Sequence, residues 1–566
     1  MEKSERIRYA RGGAPADMAL DNCMLVNVLS GEVHPASVAV AGGLVVGIEG
    51  KYPAEERIDL EGRYLAPGFM DAHVHIESSM VTLPQFAAAV VPRGTTSVFT
   101  DCHEIANVLG LAGVEYILNS AATIPMDVYV MLPSCVPATP LETSGAVLEA
   151  EDLRALVGSP RVCGLGELMN FPGTIAGDPS ILAKLALFPE GPVDGHAPGL
   201  SGQDLSAYIA AGPDSEHECT TAREAREKLG KGMYIFLREG TEARNLIDLL
   251  PVRNEFNNDR LCLCTDDRHP ADLMERGHMD SMLEKAVQAG VPAVSAIQMA
   301  TINTARRFRL PDRGGVAPGF AADLVVLEDL KSFRPVAVYK DGRRVASDGE
   351  LAAEPGGEVS VGSTFNVRDF SAARLEVRGS GIMRVIEVVP GQIVTGSGLA
   401  EASVEGGRAV SDPARDLLKI AVVERHRGTG NLGVGFVRGF GLRSGALASS
   451  VAHDSHNVVV VGCSDEDMAA AVQALVAMEG GQVVVSGGKV RASLALPIAG
   501  LMSPLPLNEV AAGVESLNAV AAELGCSLPD PFMAMSFLAL PVIPELKLTD
   551  RGLVDVSGFA HVDLFA

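Results

Sequence analysis

No tryptophan occurs in the 566 residues, and all aromatic residues together make up 5%. Positive charge is also scarce. Lys and Arg number 46 against 71 Asp and Glu, which gives a formal charge of −25 and a pI near 4.9. That balance excludes a protein that grips nucleic acid through a basic face, and no Lys/Arg cluster offsets it. Long apolar runs are missing too. Gly, Pro or a charge breaks each apolar stretch before the roughly eighteen residues that span a bilayer, so no membrane partner is expected. The opening MEKSERIRYARGG carries charge without an apolar segment, which argues against a secretory signal. The nine cysteines are odd in number and scattered, so reduced thiols and a cytoplasmic location are expected. Cys262 and Cys264 come nearest to a metal knuckle. They stand at period two in LCLCTDD and read as one buried face of a strand.

What is present is a globular composition, 47% apolar and 21% charged, with 60 glycines for tight turns and close backbone approach. The length predicts two to four domains. Short alternating strands fill 21–63, and the same texture returns at 317–346, so the two stretches are expected to share one sheet domain around a large insertion. Between them strand and helix alternate. Strand ends are predicted near Asp71, Asp101, Leu132, Gly166, His196, His217, Leu237 and Thr265, the fifth and sixth strands being the shortest. Eight strands in about 250 residues match a closed (β/α)8 barrel. The alternative is an open doubly wound sheet, but no GxGxxG follows the first strand. A polar, Gly-rich linker, LAAEPGGEVSVGSTFN, precedes a mixed α+β region. The expected fold class is therefore α/β: a (β/α)8 TIM barrel at 66–316, a composite β domain from 17–65 plus 317–350, and a C-terminal α+β domain at 360–566.

Histidines and acids gather at the predicted strand ends, where this barrel builds its sites. In DAHVH, His73 and His75 stand at i and i+2 and face one side, and Glu77 continues the parity if the strand persists. Glu167 ends VCGLGE, His196 ends PVDGH, His217 sits in SEHECTT and Asp266 in LCLCTDD. Four imidazoles and two carboxylates suffice for two divalent ions, which a shared carboxylate would hold roughly 3.5–4 Å apart. Further candidates for substrate contact or support are Asp101, His103 and Glu104 in DCHE, Asn170, and the run Asp267, Arg268 and His269. The late VAHDSHN adds His453, Asp454 and His456, either a lip over the site or a structural turn. His278 and His34 have no partner in sequence, and Met533 and Met535 read as packing residues.

PGFMDAHVHIESSM resembles the opening of the amidohydrolase superfamily. With DCHEIANVLG, GLGELMNFPG, DGHAPGLSG, EHECTT, CTDDRHPADL and VAHDSHN, the chain resembles the bacterial adenine deaminase family of that superfamily, from about residue 20 to the end. The resemblance implies a barrel with a composite β-sandwich and two divalent ions, manganese first, with iron or zinc as alternatives. It implies hydrolysis of adenine to hypoxanthine and ammonia. On that basis His73 and His75 bind one ion and Asp266 completes it. His196 and His217 bind the second, and Glu167 bridges the two in place of a carboxylated lysine. Asp266 is taken over Asp267 because it is the first acid after Thr265. Asp266 then accepts the proton of the attacking hydroxide, and Glu77 protonates a ring nitrogen. The rival is another amidohydrolase, a nucleoside or cytosine deaminase or a cyclic amidase. A homo-oligomer is expected, a dimer by general default.

Overall fold

The computed structural model describes residues 1–353, 356–357 and 359–566. Three positions of the expected linker, 354, 355 and 358, lie outside the described residues. The barrel strands run Phe69–His75, Thr95–Asp101, Asp127–Leu132, Val162–Leu168, Val193–Gly195, Ser215–Glu216, Tyr234–Arg238 and Leu261–Cys264. The first five pair in parallel in chain order, as do the last three. The barrel closes where Asp266 and Asp267 pair with Val74 and His75 of the first strand. The Asp214 amide bonds the Val193 carbonyl at 3.1 Å across the join between the short fifth and sixth strands. The first strand runs on to His75, past its predicted end near Asp71.

A hydrophobic floor fills the barrel below the strand ends. Met70, Ala72, Phe99, Met131, Phe236, Cys262, Cys264 and Phe308 form one cluster, with the Phe99 and Phe308 rings stacked at 3.6 Å between centroids. The two cysteines are thus buried strand residues. On the first strand the register shifts between Asp71 and Val74. Met70 and Ala72 belong to the floor, whereas Val74 belongs to the shell under the helices. The irregularity re-aims the strand so that His73 and His75 rise above the floor together.

Strands from 16–67 and 324–351 interleave in one nine-stranded sheet, with Tyr64–Pro67 joined to Leu324–Leu327. The C-terminal region builds an eight-stranded sheet between 382 and 495, backed by helices Asp465–Ala477 and Leu507–Glu523. It docks on the barrel through a continuous apolar core. The polar seam is specific. Ser503 and Met80–Thr82 exchange backbone bonds, Asp550 accepts from the Thr143 amide at 2.8 Å, and Asn457 donates to the Thr143 carbonyl at 2.8 Å. Among the described residues no helix is long and apolar enough to cross a membrane.

Lys547 ties down the inner loops of this domain. Its buried Nζ donates to the carbonyls of Ile393 at 3.2 Å and Phe537 at 3.0 Å. Burial pushes its ammonium from 10.5 down to about 7. Below about pH 7 both folded and unfolded chains hold this proton, and the burial cost is borne in full. Between about 7 and 10.5 only the unfolded chain holds it, so the cost fades and stability rises with pH. Thermal midpoints of K547M are therefore expected to fall relative to the parent as pH climbs through that window. A pH-independent difference would count against the buried ammonium.

Candidate metal centre and active site

The six expected ligands meet at the C-terminal mouth of the barrel. Glu167 Oε1 lies 2.8 Å from His75 Nε2 and 3.1 Å from His73 Nε2, and Asp266 Oδ1 lies 3.2 Å and 3.6 Å from the same two atoms. The other oxygen, Glu167 Oε2, is 2.6 Å from His196 Nδ1 and 3.5 Å from His217 Nε2. Donors bound at roughly 2.1 Å around one cation stand about 3.0–3.4 Å apart, and the separations here, from 2.6 to 3.6 Å, bracket that range. Two details favour a cation over a closed hydrogen-bond network. Glu167 Oε1 makes no hydrogen bond despite its two close imidazoles. His75 Nδ1 donates to the Asp101 carbonyl at 2.9 Å, which leaves Nε2 with its lone pair facing the cluster. Asp266 and Glu218 share one guanidinium, Arg238, whereas Glu167 has only imidazoles around it, a set of donors that divalent ions would complete. The donor set, imidazoles and carboxylates, fits such ions.

The match to known proteins runs the length of the chain. The amidohydrolase family model covers residues 64–345, and the model of the adenine deaminase C-terminal domain covers 392–560. The chain is 51% identical to the adenine deaminase of Desulfatibacillum aliphaticivorans over 99% of each chain. It is 50% identical to adenine deaminase 2 of Carboxydothermus hydrogenoformans over 98% of each, and 49% identical to the adenine deaminase of Methanothrix thermoacetophila over 100% of each. The chain belongs to the adenine deaminase family of amidohydrolases.

Within this family member, burial works against ionised Glu167, but His217, His75 and His196 outweigh it and hold the carboxyl well below its ordinary range. Asp266 is held low in the same way, burial being overcome first by Arg238, whose Nη1 lies 2.7 Å from Oδ2. Asp266 takes a left-handed backbone, φ 58°, unusual for a residue with a side chain, and its carboxylate joins the cluster. Asp267 turns instead to the Ser78 hydroxyl. Asp101 anchors the centre from behind: its Oδ2 accepts the Glu167 amide at 2.7 Å and its Oδ1 the His103 amide at 3.1 Å. Gly166 makes this possible, because a Cβ there would stand 2.1 Å from Asp101 Oδ2.

Glu77 departs from its expected place. The strand stops at His75 and a 3-10 turn, Ile76–Ser79, breaks the parity. Its Oε1 accepts the Ile105 amide at 3.1 Å in the first turn of helix His103–Leu109, while its Oε2 is buried without a partner. Burial pushes its carboxyl up to about 7. Glu77 does not line the cavity that opens over the cluster, a space of about 670 Å³. His103, Glu104, Asp267, His453 and Asp454 do line it. Asn170 caps its own helix through the Gly173 amide. Arg268 points to the Glu239 carbonyl, and His269 borders a separate cavity of about 20 Å³.

The C-terminal domain supplies the opposite wall with Met533, Phe537 and Ile543. Met535 is the packing residue expected, whereas Met533 faces the cavity. His278 is also more than ordinary: buried between Thr95 Oγ1 at 2.8 Å and Asp71 Oδ2 at 3.1 Å, it helps fix the first strand. Sequence reasoning passed over Arg238 and Glu218. The signal existed, since Arg238 ends a barrel strand and Glu218 follows His217. Gly166→Ala is expected to displace Asp101 and weaken divalent-metal affinity by about 10- to 100-fold, read by metal titration of the folded protein. Unchanged affinity would remove Asp101 from the support of Glu167.

Proposed function

We propose that this protein hydrolyses adenine to hypoxanthine and ammonia. The observation that carries the reading is near-full-length identity of about 50% to adenine deaminases, spanning both the barrel and the C-terminal domain that wall the cavity. His73, His75 and Asp266 would hold one divalent ion, His196 and His217 a second, and Glu167 would reach both. Such ions would bring the pKa of bound water near 7 and so supply hydroxide at neutral pH. Manganese is the ion proposed, with iron or zinc as alternatives, since His and carboxylate donors suit all three. The assembly proposed is a homodimer and the location cytoplasmic.

The ring carbon C6 is a poor electrophile, and an unprotonated amine is a poor leaving group, so protons must move with the heavy atoms. Asp266, a member of the cluster through Oδ1, takes the proton of the attacking water. Glu77 gives a proton to the ring nitrogen next to C6. Its place behind the cavity wall requires one bridging water for that transfer. Glu77→Gln keeps an acceptor for the Ile105 amide, so the helix cap survives. The variant is expected to retain its metal and lose about 10²- to 10⁴-fold in turnover. Full turnover would return Glu77 to a capping role alone.

Protein produced with manganese is expected to release ammonia from adenine, followed by ultraviolet loss of the base. Chelation should abolish the reaction and added metal restore it. Turnover of adenosine in place of adenine would move the assignment to a nucleoside deaminase.

A further inference from the structure

Asp454 lines the cavity outside the six residues of the metal cluster. It is 5% exposed, and its Oδ2 has no hydrogen-bond partner. Its carboxylate lies in one group with the polar atoms of His103 and Glu104, all within 4.8 Å of one another. Removing a carboxyl from water without a partner is costly, so a group kept this way points to a ligand that would complete it.

Its neighbours decide which form it takes. Glu104 accepts from His453 Nδ1 at 2.6 Å and from His456 Nε2. His456 Nδ1 in turn accepts the Ala452 amide at 3.1 Å, which fixes the ring proton on the nitrogen facing Glu104. Both Glu104 oxygens are thereby spent as acceptors. Burial opposes its charge, but His453 and His456 hold Glu104 well below the usual carboxylate range. Glu104 is therefore a fixed anion with no proton to give. Asp454 sits beside that anion, with Glu167 and Glu142 also near. Burial, with Glu104 adding to it against the pull of His103 and His453, lifts Asp454 to about 6. A carboxyl that titrates this close to neutrality can both take up and give a proton. Phe537, stacked on His453 at 5.0 Å between ring centroids, offers a flat apolar wall next to it. Asp454, Phe537 and the cluster residues His75, Glu167 and Asp266 line one cavity, the space a planar base would occupy.

We propose that Asp454, supplied by the C-terminal domain, is the acid that protonates the departing amine, an assignment that rests on the adenine reading above. In that step the Asp454 proton moves to N6. The C6–N6 bond breaks, and its electron pair leaves on ammonia. The C6 hydroxyl proton returns through the bridging water to the Glu77 carboxylate left by the first step, as C6=O forms. Asp266 then releases its proton to solvent and Asp454 takes one up.

The test compares adenine with 6-chloropurine in the parent and in Asp454→Asn, with metal content measured for both. Chloride leaves without a proton, so only the adenine reaction needs this acid. In D454N, adenine turnover is expected to fall about 10²-fold or more while 6-chloropurine hydrolysis stays within about threefold. D454A gives a second readout, because formate is expected to enter the vacated space and restore adenine turnover alone. Equal losses on both substrates, equal retention of both, or no rescue by formate would overturn the role of Asp454. A parent that leaves adenine untouched would overturn the substrate reading itself, and the proposal with it.

Discussion

The site depends on one buried carboxylate with two faces. Glu167 directs Oε1 toward the His73–His75 pair and Oε2 toward His196 and His217. A buried lone charge costs several kcal/mol, so its position is stable only where partners surround it and its backbone is fixed. Asp101 fixes that backbone, and Gly166 leaves the room for Asp101 to do so. Arg238 performs the matching service for Asp266 on the far side. Each support comes from a different barrel strand, so the centre exists only when the barrel closes.

The C-terminal domain is part of the site. It clamps Glu104, in the first turn of the helix after the second barrel strand, with His453 and His456, across about 350 residues of sequence. It also adds the aromatic and apolar wall of the cavity. The docking seam at Thr143, Asp550 and Asn457 keeps that wall in register with the barrel mouth. Lys547 holds the loops at Ile393 and Phe537 that carry part of the wall. A division of labour follows: the barrel gathers most of the charged groups, and the second domain adds the apolar wall and His453 and Asp454 to the cavity lining.

The alternation of strand and helix, the size of the unit and the polar residues at strand ends were legible in the chain because each is local. A strand has period two, so His73 and His75 had to share a face. The same local logic misled at Glu77, where a 3-10 turn replaces the strand after His75 and sends the side chain to a helix cap. Asn170 is a similar case, since its side chain satisfies its own helix before it reaches the cavity. Arg238 and Glu218 stood in plain view at strand ends. Their importance lies in the charge they balance, and charge balance between distant strands has no sequence period.

The sequence by itself determined the barrel, the His and carboxylate donors at its mouth, and a late polar cluster of unassigned purpose. Only the tertiary structure decided which oxygen faces which imidazole, that Asp266 meets the His73–His75 pair while Asp267 bonds Ser78, and that His453 and His456 clamp Glu104. The reason is physical. Donor identity and strand period are properties of neighbouring residues, whereas convergence on a shared carboxylate needs closure of the barrel and docking of a domain hundreds of residues away.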